Sequence, residues 1–189
     1  MSDDVDANDG DDGAQQRARL SQYDLTPRME EFEWDFTRGV SAYETWDRIR
    51  IGEQAPAQNT FEVTAEDIRA FNRSCLETEP AMFDDEDPVA HPLFPVMITF
   101  WCVGTGIGSW IRSPGARNPG QRIEFHDDYR PGDVITATIT HHDKWIRRGH
   151  HYMEDLVELH DQHGTLKGRW YVRLLLPPDG AAVEAFATA

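Results

Sequence analysis

The side chains best suited to moving a proton lie between residues 77 and 91. Glu77, Glu79 and Asp84 stand in the run Glu77-Thr-Glu-Pro-Ala-Met82-Phe83-Asp84, and His91 follows in Ala90-His91-Pro92-Leu93-Phe94-Pro95. A carboxylate accepts a proton, and an imidazole takes or gives one near neutral pH. Glu77, Asp84 and His91 are therefore candidates for general acid–base work. Each also has a plainer reading. Glu79, Asp84, Asp85, Glu86 and Asp87 form an acidic cluster that suits a solvated loop face or a cation. His91 precedes an apolar helix, where it would take the place of a lead-in proline and bond to backbone.

The remaining constellations promise less chemistry. His141-His142 and His150-His151 are adjacent on strands, so their rings point to opposite faces and do not converge on one ion. His160 and His163 flank a turn without the carboxylates or thiols that would complete a metal site. Gly104-Thr-Gly-Ile-Gly108 follows a helix instead of a strand, which argues for close helix packing and against a dinucleotide loop. Arg147-Arg148 is a basic doublet that would meet phosphates or simply sit in solvent on a hairpin.

The elements that must position these groups follow from periodicity. Phe61 and Val63 alternate with polar residues over Asn59–Val63, as in a short strand. Thr64 precedes Asp67 by three residues, a capping box, and Ile68, Phe71 and Cys75 continue at helical spacing, predicting a helix over about 65–76. Glu77–Pro88 reads as loop. Pro92 and Pro95 introduce a second helix, about 95–110, apolar nearly all round and therefore buried. Beyond Pro119 the pattern is antiparallel sheet, with strands over Gln121–His126, Val134–Trp145, Tyr152–His160 and Thr165–Leu176. Arg130-Pro-Gly-Asp133, Arg148-Gly149 and Asp161-Gln-His-Gly164 supply the turns. Leu166, Gly168, Trp170, Val172, Leu174 and Leu176 share one face of the last strand. One buried helix beside a long meander is an α+β architecture whose sheet wraps that helix.

The 189 residues suit one domain with extensions. Six Asp fall within the first twelve residues, so 1–15 reads as a disordered acidic tail. The aromatic-bearing segment 16–45 reads as an ordered extension, 46–178 as the domain and 179–189 as a C-terminal tail. A formal net charge of −16 opposes nonspecific binding to nucleic acid or anionic lipid. Cys75 and Cys102 sit in apolar helical patterns as buried thiols, without a disulfide framework. The absence of a long apolar run or cleavable leader gives the cytoplasm as the expected compartment.

Three stretches together carry a resemblance over roughly residues 46–178. Phe61-Glu-Val-Thr-Ala-Glu-Asp-Ile-Arg-Ala-Phe71 resembles the first helix of the MaoC-like, R-specific enoyl-CoA hydratase family. Ala90–Pro95 resembles the proline-rich lead-in to that family's central helix. Gly120–His126, Tyr129–Asp133 and Asp161–Gly164 resemble its strand-turn-strand signature. The resemblance implies a hot-dog fold, in which a curved antiparallel sheet wraps a central helix, dimeric assembly, and reversible hydration of an enoyl-CoA thioester. CoA would enter as part of the substrate and no further cofactor is implied. It also implies backbone N–H donors at a helix start, holding the thioester oxygen as charge develops.

The family's hydratase motif is Asp, any residue, Asn-Pro, any residue, His. With Pro80 fixing the register, Glu77 stands at the family's Asp, Glu79 at its Asn and Met82 at its His. A thioether transfers no proton. The resemblance therefore implies an eroded dyad and a subunit that shapes an acyl pocket for a catalytically intact partner. Phe83, Phe94, Pro95, Val96 and Trp101 would line that pocket. The alternatives are a self-sufficient hydratase or thioesterase using Glu77 and His91, and a non-enzymatic acyl-CoA-binding or assembly subunit.

Overall fold

A computed structural model describes residues 44–56, 60–104 and 115–189. Its elements are β1 (Gln54–Pro56), β2 (Phe61–Glu62), α1 (Ala65–Ser74), α2 (Phe94–Gly104), β3 (Arg117–Phe125), β4 (Val134–Arg147), β5 (His150–His160), β6 (Leu166–Leu176) and α3 (Val183–Thr188). The sheet order is β1-β4-β5-β6-β3, antiparallel at every pairing, with β2 on β4.

Alternation along the strands gives the sheet two unlike faces. Ile135, Ala137 and Ile139 of β4, Val157 and Leu159 of β5, and Trp170 of β6 are buried on the concave side. Phe94, Ile98 and Cys102, each 0% exposed, repeat every four residues along α2 and press one line of that helix onto this surface. The convex side carries charge instead. Arg169 donates to Glu158 at 2.9 Å and Arg173 to Glu154 at 2.8 Å, while Arg122 lies 3.9 Å over the Tyr171 ring. The pairing shifts register between His141 and Asp143 and between Leu159 and His160, where an extra residue bends the strand and helps curl the sheet around α2.

Local chemistry sets the ends of α1. The Thr64 hydroxyl accepts the Asp67 amide at 3.0 Å and Asp67 returns a bond to the Thr64 amide at 3.1 Å, completing the expected capping box. The helix stops where Leu76 adopts a left-handed φ of 60°. That backbone state favours glycine; a leucine here costs about 1–2 kcal/mol.

Several expectations shift. The helix predicted over 65–76 ends at Ser74, and the central helix begins at Phe94, its described part closing at Gly104. Every long strand runs further than predicted at one end or the other except β6, which begins one residue later. The loop Glu77–Pro88 contains a 3₁₀ turn, Pro80–Phe83, that a proline at its first position favours. Residues 179–189 form a 3₁₀ turn and α3, because Asp179 caps the Ala182 amide at 3.0 Å and Phe186 packs under Arg117. Cys102 is buried, but Cys75 closes α1 only partly covered, so the expectation of two buried thiols holds for one. Residues 1–43 and the glycines from 106 to 108 lie outside the described residues.

Candidate active site

The loop from α1 to α2 folds back so that its two ends meet. Oε1 of Glu77 lies 3.3 Å from Nε2 of His91, with the side chains 29% and 17% exposed. The Glu77 amide is held by the Asn72 carbonyl at 3.1 Å. His91 is fixed on every side: its amide donates to Asn72 Oδ1 at 2.9 Å, its carbonyl accepts the Phe94 amide at 2.9 Å, and its ring lies 5.8 Å from that of Phe71. The Leu93 amide donates to Nδ1 at 2.9 Å. An N–H donor at Nδ1 requires a lone pair there, so the neutral ring carries its proton on Nε2, facing Glu77. The plainer reading of His91, a bond to backbone, is thus also realised. That bond is what turns the other nitrogen toward the carboxylate.

Asp84 is used up differently. Its carboxylate accepts the amides of Asp87 and Glu86, each at 2.9 Å, and these bonds hold it below the ordinary carboxylate range. Arg69 donates to the carbonyls of Asp84 and Asp85. The acidic cluster is a braced turn. Among the described residues no group of three or more His, Cys, Asp or Glu could hold a metal ion.

His91 also belongs to the wall of a cavity of about 410 Å³, between the α2 lead-in and the end of β3. Pro92, Pro95 and Phe125 give that cavity apolar walls, and His126 and Tyr129 give it polar ones. Asp87 and Asp128 at its rim share Arg130, at 3.4 and 3.5 Å. Tyr129 is 5% exposed; burial first, then Asp133, pushes its phenol above the usual range. Its Oη has no hydrogen-bond partner among the described residues. Gly168 is required beside it, since a Cβ there would come within 2.9 Å of that oxygen.

The predicted pocket residues separate. Pro95 lines the cavity. Phe94 does not: it is fully buried, edge-on to Phe61, Phe71 and Tyr129, and belongs to the core. Val96 packs partly buried against the same core. Met82 and Phe83 are half-buried in the 3₁₀ turn and lie outside the cavity wall, and the Trp101 side chain is outside the described residues. The expected helix-start donors are already engaged. The Leu93 amide bonds His91 Nδ1, the Phe94 amide the His91 carbonyl and the Val96 amide the Leu93 carbonyl, while Pro95 has no N–H. What the start of α2 keeps is the positive end of its dipole.

Asn72 and Tyr129 escaped the sequence reading. The signal for Asn72 was present, since it falls on the apolar stripe of Ile68, Phe71 and Cys75, where a polar residue needs buried partners.

A curled antiparallel sheet around a buried helix is a hot-dog fold, and Glu77 and His91 meet at the start of that helix. The chain belongs to the "FAS1-like, dehydratase domain region" family, whose model residues 50–166 match, and its neighbours in structure include MaoC-like dehydratases. No curated protein matches it in sequence. Solved structures with the same fold include the R-hydratase PhaJ1 from Pseudomonas aeruginosa, at 15% identity and TM-score 0.56 over 71% of this chain and 86% of that one. The (R)-hydratase from A. caviae involved in PHA biosynthesis is 19% identical, at TM-score 0.53 over 69% and 98%. The HadBC (3R-hydroxyacyl-ACP dehydratase) complex from Mycobacterium tuberculosis is 20% identical, at TM-score 0.55 over 66% and 96%. Among the described residues no helix is long and apolar enough to cross a membrane.

Proposed function

We propose that this chain adds water across the 2,3 double bond of an enoyl thioester, or removes it in reverse, with Glu77 carrying the proton. The observation that carries this reading is the 3.3 Å approach of His91 Nε2 to Glu77 Oε1. The tautomer of His91 turns its Nε2–H toward the carboxylate at 3.3 Å, so that His91 orients Glu77 and leaves it to act as base and then acid. Glu77 takes a proton from water as the water oxygen bonds to Cβ. The electron pair of the double bond moves to an enolate, and the Glu77 proton then passes to Cα. One water is added and the carboxylate is restored. The positive end of the α2 dipole stabilises the enolate. The cavity beside His91 suits an acyl thioester; Glu77 lies outside its wall and adjoins it through the His91 ring, and CoA enters only as part of that substrate.

A second reading is carried by Met82, which stands where the family's motif has His, and by the engaged amides at the start of α2. In it the chain is the acyl-shaping half of a pair, and a second hot-dog chain with an intact dyad supplies the chemistry. An assay of the purified chain separates the readings. The proposed one expects loss of enoyl absorbance without release of free thiol. Free thiol would make it a thioesterase, and turnover only after a partner chain is added would favour the second reading.

A further inference from the structure

We infer that Asn72 is the positioning residue of the Glu77–His91 pair, an inference that rests on the reading just given. Asn72 lies in α1, 0% exposed, and touches neither the cavity nor the reacting atoms. Its amide nitrogen donates to the carbonyls of Met82, at 2.7 Å, and Val89, at 2.9 Å. Its amide oxygen accepts the His91 N–H at 2.9 Å. Its own backbone carbonyl accepts the Glu77 amide at 3.1 Å. One residue thus grips the α1–α2 loop at its start, its middle and its end.

Arg69 of α1 also holds the loop, at the Asp84 and Asp85 carbonyls, but bonds neither Glu77 nor His91. The Val89 amide bonds the Ala81 carbonyl, which closes only the centre of the loop. Without the Asn72 side chain, two carbonyls and one amide lose their partners at a buried point, and among the described residues nothing else bonds the His91 N–H. Closing a loop of this length costs conformational entropy, and here a single buried amide offsets much of it. Because the His91 amide sets where its ring begins, freeing it also frees the Leu93 contact that fixes the tautomer. A small misplacement of a proton-transfer pair is enough to slow chemistry while leaving binding alone.

The test uses the full chain with ¹⁵N-labelled histidine and no substrate. In wild type the His91 ring shows one unprotonated nitrogen, Nδ1, and one protonated nitrogen, Nε2. Asn72→Ala is expected to bring the two signals toward a common averaged position. It should also lower kcat roughly 30-fold or more with KM within about threefold. Asn72→Ser keeps a neutral hydroxyl for the His91 amide and brings no buried charge against the Met82 and Val89 carbonyls, so it should keep the wild-type ring spectrum and part of kcat. Ile135→Val, which weakens the core elsewhere, should change neither. If Asn72→Ala does not fold, Asn72→Ser carries the decision. A wild-type ring spectrum with reduced kcat is expected, and an averaged spectrum overturns the inference. A folded Asn72→Ala protein with the wild-type ring spectrum, or Ile135→Val reproducing its effect, also overturns it. The spectrum is read without turnover. If no form of the chain hydrates an enoyl thioester, the functional reading fails while the role of Asn72 is still decided.

Discussion

Nε2 of His91 faces Oε1 of Glu77 at 3.3 Å although the two residues are separated by a loop containing a 3₁₀ turn and a braced acidic corner. The imidazole comes from the lead-in to α2 and not from the position that follows Pro80 in the family's motif. In this chain the side chain that meets the Glu77 carboxylate is therefore supplied from the far end of the α1–α2 loop.

The division of labour within the pair is testable by substitution. If His91 orients and Glu77 transfers, His91→Ala lowers kcat by about 10–100-fold and Glu77→Asp by a similar factor, because both leave a carboxylate in a less productive place. Steady-state kinetics on the purified chain measure this. Equal and complete loss in His91→Ala and Glu77→Gln would instead make the imidazole a proton carrier.

Leu76 offers a stability gain close to the site. Its φ of 60° and 86% exposure mean that Leu76→Gly relieves strain without uncovering a core contact. Relief of about 1–2 kcal/mol against roughly 0.4–1 kcal/mol of added unfolded-chain freedom leaves a net gain near 0.5–1 kcal/mol. Urea unfolding reads it as a higher midpoint with an unchanged slope.

Lys167 ties the Arg130–Asp133 turn to β6. It is 4% exposed, with Asp127 at 2.9 Å and Asp133 at 3.1 Å. Burial alone would lower its proton affinity, but the bonds and charges of Asp127 and Asp133 outweigh it and raise the ammonium above its usual range. Lys167 in turn holds Asp127 below the usual carboxylate range. The lysine's contribution is present below about pH 10 and lost as pH rises through its raised value. The aspartate's is present above about pH 4 and lost as pH falls through its lowered value. Lys167→Met should therefore lower unfolding free energy by roughly 1–3 kcal/mol between those limits and much less outside them, as denaturant titrations across pH would show.

The two thiols should part company. Burial pushes the Cys102 thiol up to about 12, and its Sγ lies 3.7 Å from the Ile135 carbonyl. Burial also raises Cys75, but that thiol stays partly exposed. A disulfide reagent at neutral pH should label Cys75 slowly, faster as pH rises, and leave Cys102 unmodified until the chain unfolds. Labelling of Cys102 in the native state would contradict its place under β4.

The fold was legible because its signals are local and repeat. The Thr64–Asp67 cap, the apolar run of the second helix, and the alternation along β4 to β6 each state a structure that burial then realises. The site was legible only in part. Glu77 and His91 were separable as candidates, but their meeting depends on Asn72 closing the loop, a contact between residues 19 apart that no periodicity encodes. The use of Asp84 as a turn brace, and of the Leu93, Phe94 and Val96 amides within the helix start, likewise follows from loop geometry and not from residue type. Phe94, a pocket residue by the family resemblance, is core, because its ring falls among Phe61, Phe71 and Tyr129.

The sharpest test of the account is the hydration rate of an enoyl thioester by the purified chain alone, wild type against Glu77→Gln. The account predicts measurable turnover in wild type and a drop of about 10³-fold or more in the variant, with the fold intact by circular dichroism. Wild-type turnover that survives Glu77→Gln, or none at all until a second hot-dog chain is added, would contradict it.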